Sequence, residues 1–160
     1  MSMTVETDSD SLSIDQSREN FVESIGMFFQ TEGMPRTSGR LLGLLIFDGQ
    51  PVSFGDLADR LKVSRGSIST SSRMLEQAGL IKRVSKLGER QDYFQLADTP
   101  YQALVTTEIG RVQSVKNEIS KALDQMPEGH DGTRGRLHDL CGFFQTMEGC
   151  LGSVLNKLSK

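Results

Sequence analysis

Between residues 53 and 97 the hydrophobic pattern runs through two short helical stretches and then turns to the alternation of strands, and few folds accommodate that order of elements. Ser53 is placed to cap a short helix carrying Leu57, Ala58 and Leu61, since a side-chain oxygen at that position accepts from an orphan N–H of the first turn. Val63 and Ser64 form a tight connection. A second short helix is expected from Arg65 to about Ala78, with Ile68, Ser72 and Leu75 on one face and Gly79 to stop it. Leu80 to Ser85 then alternates weakly, and Lys86-Leu87-Gly88-Glu89-Arg90 makes a polar tip. Tyr93, Phe94 and Leu96 carry strand character, so the two runs read as a β-hairpin. Helix, turn, helix and hairpin in that order make a winged helix-turn-helix.

The flanks are helical. Phe21, Ile25, Phe28 and Phe29 recur at helical spacing from near Asp15 and stop before Glu32-Gly33. Met34-Pro35 is a break, and an almost wholly apolar helix should run from about Pro35 to Phe47, so it should be buried. Val105, Ile109, Val112, Ile119, Leu123 and Met126 mark another helix. After a loop at 127–132, Leu137, Leu140, Phe144, Met147, Leu151, Val154 and Leu158 step by three and four residues. That is a heptad seam, whose partner could be the preceding helix or the same helix of a second subunit. The expected architecture is mainly α with a small β-hairpin wing: 1–15 a disordered acidic tail, 16–34 an N-terminal dimerisation helix, 35–98 a winged helix-turn-helix DNA-binding domain, and 99–160 a C-terminal helical dimerisation region.

A net charge of −3 does not suggest a nucleic-acid partner, but the distribution does. Residues 1–20 hold Glu6, Asp8, Asp10, Asp15 and Glu19 against Arg18 alone. Residues 60–90 hold Arg60, Lys62, Arg65, Arg73, Lys82, Arg83, Lys86 and Arg90 against Glu76 and Glu89. A cation-rich segment in an acidic chain is an electrostatic footprint, and the local patch matters more than the sum. A major groove admits one α-helix. On the helix from Arg65, Ile68 and Leu75 anchor one face, while Arg65, Ser67, Ser69, Thr70 and Arg73 offer guanidinium and hydroxyl groups to base edges and phosphates. Ser64 is its candidate N-cap and a further DNA contact. Lys86 and Arg90 flank Gly88 at the wing tip, which could enter an adjacent minor groove. Asp92, two residues on, could pair with Arg90 or stand exposed.

The run FGDLADRLKVSRGSISTSSRMLEQAGLIKRVSKLGERQDYFQL strongly resembles the winged-helix core of MarR-type regulators, and FVESIGMFFQTEGMPRTSGRLLGLLIF ahead of it is similar to their GbsR-like branch. The resemblance covers about residues 18–97, and the joined pattern from Leu61 to Val84 is its specific part. It implies a triangular homodimer with interlaced terminal helices, a recognition helix over Arg65 to Ala78, a wing over Leu80 to Leu96, and a wing-tip arginine at Arg90. It also implies a cytoplasmic transcription regulator, expected here to be a repressor on a pseudo-palindromic operator. The GbsR-like branch includes sensors of choline or osmolyte status, so a quaternary ammonium effector is implied as well.

Other readings stand beside this one. Phe28, Phe29, Phe143 and Phe144 could form an aromatic effector pocket, since aromatic faces attract quaternary ammonium groups. Aromatic residues at helical spacing ordinarily pack, however, so core and dimer packing is the plainer account. His130 and His138 lack ligand spacing, and Cys141 and Cys150 read as two reduced thiols, so neither a metal nor a cofactor is expected. No apolar run approaches a membrane span, and no phosphate loop, nucleophile elbow or paired carboxylate motif points to an enzyme. The alternative to a DNA-binding regulator is a winged-helix protein-interaction module acting through its helical dimer region, because fold does not fix function.

Overall fold

The computed structural model describes residues 13–159. The expected acidic tail therefore lies outside the described residues as far as residue 12, and the next few already belong to a helix and its cap. Ser13 caps α1 (Ile14–Thr31), its hydroxyl accepting from Gln16 N–H at 3.2 Å. Then come α2 (Arg36–Asp48), β1 (Val52–Ser53), α3 (Phe54–Leu61), α4 (Arg65–Gln77), β2 (Ile81–Ser85), β3 (Asp92–Leu96), α5 (Pro100–Gln125) and α6 (Asp131–Leu158). The chain divides into two compact units, the first running to Gln77 and including Ile81–Leu96, the second made of Ala78–Leu80 and the residues from Ala97 onward.

In the first unit α1 lies along α2, and small residues set their distance. A Cβ on Gly39 would sit 2.5 Å from the Ile25 carbonyl oxygen and 2.8 Å from Phe29 Cβ, so glycine is the residue that permits this approach. Two carboxylates tie the helices at their edges. Glu23 accepts from Arg36 at 2.6 Å and from Arg40 at 2.7 Å, while Asp48 accepts from Arg18 at 3.0 Å and Arg60 at 2.6 Å. Arg40 also donates to the Leu61 carbonyl at 2.9 Å, joining α2 to the end of α3. Leu41 and Leu45 of α2, Leu57 of α3, Ile68 and Leu75 of α4 and Phe94 of β3 form the sealed core. Each such side chain contributes about 2 kcal/mol by leaving water.

The hairpin of β2 and β3 forms as expected, with Ile81 opposite Leu96 and Ser85 opposite Asp92. The sheet has a third strand that the pattern did not reveal. β1 pairs antiparallel with β3, Val52 against Phe94, in the order β1-β3-β2. Two residues are too short to show alternation, yet this pair fastens the wing to the head of α3.

The second unit is an antiparallel helix pair. Gln102 near the start of α5 donates to the Leu158 carbonyl at 2.8 Å, and Arg134 near the start of α6 donates to the Met126 carbonyl at 3.1 Å. Midway, Glu148 accepts from Lys116 at 2.6 Å and Gln113 at 2.7 Å. α6 packs along α5, but no residue of α6 is buried. Leu140, Phe143, Val154 and Leu158 stand exposed, as do Leu104 and Val115 of α5. Among the described residues no helix is long and apolar enough to cross a membrane.

Candidate nucleic-acid interface

A sharp turn delivers α4. Lys62 closes α3 in the left-handed region at φ 53°, and Val63 N–H donates to the Ala58 carbonyl at 3.1 Å. Ser64 then caps α4, its hydroxyl accepting from Ser67 N–H at 3.1 Å and lying 2.9 Å from the Ser67 hydroxyl. Ile68 at 0% exposure and Leu75 at 1% pin the helix to the core, with Ser71 and Ser72 buried beside them. Arg65, Thr70 and Arg73 face solvent, and Ser67 and Ser69 are half-buried between the two faces. The outward row of guanidinium and hydroxyl groups is therefore carried by a helix whose other side is closed.

Several of the cations have internal duties, Arg60 with Asp48 among them. The Arg65 guanidinium lies 5.3 Å from the centroid of the Phe54 ring, a cation–π contact that orients it at the start of α4. Arg83 donates to Asp92 at 3.0 Å and to Glu76 at 3.4 Å, and covers the Phe94 ring at 5.4 Å. The hydrogen bond to Glu76 leads the causes that raise the Arg83 pKa, with both carboxylate charges adding to it against a smaller cost of burial. Asp92 thus pairs with Arg83 and not with Arg90. The register explains this: Asp92 opposes Ser85, so Arg83 is its diagonal neighbour on one sheet face, while Arg90 belongs to the tip.

Tyr93 braces that tip. Its hydroxyl donates to the Glu89 carboxylate and accepts from Gln91 Nε2 at 3.3 Å. The Glu89 hydrogen bond is the first cause of a raised Tyr93 pKa. Lys86 sits with its ammonium 4.1 Å from the centre of the same ring. Lys86 and Arg90 are both exposed, and Arg90 makes no ion pair among the described residues, which leaves its charge available to a ligand. Gly88 turns the tip at φ 83°, and Leu87 beside it is wholly exposed at 106%. Sequence reasoning missed Tyr93 as a brace and Arg83 as a fastening, because both roles depend on cross-strand register. Leu87 was legible as part of the tip but not singled out.

The four aromatic residues weighed as an effector pocket are divided between the two units. Phe28 is 57% exposed, whereas Phe29 is buried and packs at Gly39. Phe143 is 57% exposed and meets Phe144 edge to face, with 5.3 Å between centroids. Other residues line three cavities of the first unit, one of them about 630 Å³ beside Arg18, Phe47 and Arg60. His130 stands at the head of α6 and His138 is exposed within it, and both cysteines are free thiols.

Comparison with known proteins follows the same lines. A family model described as the MarR family matches residues 32–91. The HTH-type transcriptional regulator MmpR5 of Mycobacterium tuberculosis is 30% identical over 159 residues, 99% of this chain and 96% of that protein. The HTH-type transcriptional repressor OpcR of Bacillus subtilis is 27% identical over 93 residues, 58% of this chain and 50% of that protein. A solved structure described as the crystal structure of a transcriptional regulator is similar with a TM-score of 0.73 at 30% identity, covering 89% of this chain and 98% of that one.

Proposed function

Since the chain belongs to the MarR family of DNA-binding transcription regulators, which are not enzymes, we propose that it acts as a homodimeric, cytoplasmic repressor that reads a pseudo-palindromic operator. The observation that carries the reading is the exposed row Arg65, Thr70 and Arg73 on a helix locked from behind by Ile68 and Leu75. In a major groove, Arg73 and Thr70 meet base edges, while Ser64, Ser67 and Ser69 at the helix start and flank meet bases or the adjoining backbone. Arg90, with Lys86 beside it, takes the minor groove or its phosphates.

The apolar residues left open on α5 and α6 favour a second copy as the covering surface, because soluble chains rarely leave such a row to water. Two recognition helices in one dimer address half-sites about 10 base pairs apart. The repressor sense has support in the OpcR relative, a transcriptional repressor by name, and the GbsR-like branch in the run from Phe21 to Phe47. For an effector of the quaternary ammonium class, Phe29 is already committed to α2, so the first unit offers Phe28 and the second, separately, Phe143 and Phe144 as aromatic faces.

Selection of bound duplexes from random DNA tests the reading. It should return an inverted repeat, and binding should weaken steeply between low and moderate salt as counterions are released. Recovery of single half-sites would remove the dimer from the proposal, and no enrichment would remove the operator.

A further inference from the structure

Beside the first turns of α4 lies a notch of about 420 Å³, and its lining is unusual for this chain. Pro35 and Thr37 contribute from the head of α2, and Ser64, Ser67, Thr70 and Ser71 from α4. Gly66 completes it, so the notch is lined by hydroxyls and backbone with no acidic side chain.

Two helix beginnings open into this space. No side chain caps α2, and Ser38 N–H turns back to the Pro35 carbonyl at 3.0 Å, so the N–H groups of Arg36 and Thr37 have no partner among the described residues. In α4 the Ser64 hydroxyl takes Ser67 N–H, leaving those of Arg65 and Gly66 unpaired. A Cβ on Gly66 would meet nothing nearer than the Ser64 hydroxyl at 3.8 Å, so the backbone there is open to approach. Unpaired first-turn amides and the positive end of the helix dipole both favour an anion.

Ser71 supplies an independent observation. It is 2% exposed, and its hydroxyl makes no hydrogen bond among the described residues. The equally buried Ser72 behaves ordinarily and donates to the Ser69 carbonyl at 3.2 Å. A helical serine usually bonds back to its own helix, and a buried hydroxyl without a partner is costly. Yet among the described residues no buried side-chain oxygen is both unpaired and fully sealed, so Ser71 Oγ keeps a little access, and the notch is the space that Ser71 lines. The site therefore holds a near-buried donor waiting for an acceptor, next to unpaired amides.

We propose that this notch seats one phosphate of the DNA backbone, held by the first-turn amide of Thr37 and the hydroxyls of Thr37, Thr70 and Ser71. The inference rests on α4 as the groove-reading helix. Thr70 belongs both to the outward row and to the notch, so a duplex engaged by α4 brings a backbone strand to this flank. The seat makes α2 a partner in setting the register on DNA. All its donors are neutral, so it contributes affinity without adding to the count of cations that displace counterions.

The test uses the full chain with Thr37→Val, Ser71→Ala and the pair together, on operator and random duplexes, by fluorescence anisotropy over a range of salt. The double variant should bind both duplexes about tenfold more weakly, with the slope of log affinity against log salt unchanged. A scan of single methylphosphonate substitutions should find one position per half-site that weakens the wild type but not the double variant. Thr37→Ser, which keeps the hydroxyl, should restore the loss caused by Thr37→Val. Equal affinity and an equal methylphosphonate pattern in wild type and double variant would overturn the seat and leave the regulator reading standing. Loss of inorganic phosphate binding in the variants, read by amide shifts, with DNA binding intact would also overturn it, since the notch would then serve a free anion. A wild type without affinity for any duplex would overturn the assignment of α4 as well.

Discussion

α4 and α6 each carry an apolar stripe at helical spacing, and the two stripes have met different fates. That of α4 is sealed, Ile68 and Leu75 having vanished into the core of the first unit. That of α6 leans on α5 without a single residue becoming buried, and Leu140 remains 42% exposed. A sealed stripe frees the opposite face of a helix to bind a polar ligand without repacking. A half-covered stripe is an unfinished interface whose stability depends on what covers it. On the proposed function, DNA contact falls to the first kind of helix and subunit contact to the second.

The broadest way to break this contrast is to delete residues 133–160. If α6 exists to bind a second copy, the truncated chain should sediment as a monomer and lose at least about a hundredfold in operator affinity, because the second half-site is no longer tethered. A truncated chain that stays dimeric would move the interface elsewhere. Next in size is a pair of truncations in matched positions. Ile68→Ala should cost about 3 kcal/mol in denaturant unfolding, the usual effect of a large-to-small change in a closed core. Leu140→Ala, on the half-open stripe, should cost well under 1 kcal/mol in the isolated chain and instead raise the concentration at which dimers dissociate. Similar unfolding costs for the two would show that α6 is as finished as α4.

The outward face of α4 comes third. Arg73→Ala should lose about 1–3 kcal/mol of operator affinity and relax preference at one base pair, if it reads a base. Arg90→Ala should weaken all duplexes alike and lower the salt slope by about one. Neither variant should alter the sedimentation of the dimer. A base-specific loss at Arg90 with a uniform loss at Arg73 would exchange their roles.

How much of this was legible beforehand follows from what each signal encodes. The helices α1 to α6 and the hairpin lie within a residue or two of their expected bounds, because periodicity reports which face is apolar. The cap at Ser53 and the stop at Gly79, with φ 70°, followed from local backbone chemistry. Strand β1 did not, since two residues carry no period. Among the candidate site residues, the run of serines marked α4 but could not say which hydroxyls turn inward. Ser72 was expected on the core face, yet the equally buried Ser71 was not. The guanidinium of Arg83 looked like one cation of eight until the register placed it between Asp92 and Glu76. The seam of α6 was readable as a stripe, but three-and-four spacing describes a surface and is silent about its cover.

The smallest effect concerns the carboxylates that fasten each unit, and it separates the two regions by pH. Glu148 joins α6 to α5, and the hydrogen bond from Lys116, followed by that from Gln113, holds its pKa below the usual carboxylate range. Burial works against the charged form of Glu23, but hydrogen bonds from Arg36 and Arg40 outweigh it and lower its pKa as well. In both cases the folded value lies below the unfolded one, so the stabilisation is fully present above the unfolded carboxylate range and is lost as pH falls through the folded value. The first unit has a closed apolar core, whereas midway along the α5–α6 pair Val112 and Ile119 of α5 are buried and no residue of α6 is, so the helix pair should loosen first under acid. Thermal melts from pH 7 down to pH 3 should therefore show Glu148→Gln less stable than wild type near neutrality and converging with it in acid, with Glu23→Gln moving the first unit less because apolar burial dominates there. Parallel curves for wild type and Glu148→Gln across the whole range would mean that the ion pair is a bystander and that α6 is held by its half-covered stripe alone.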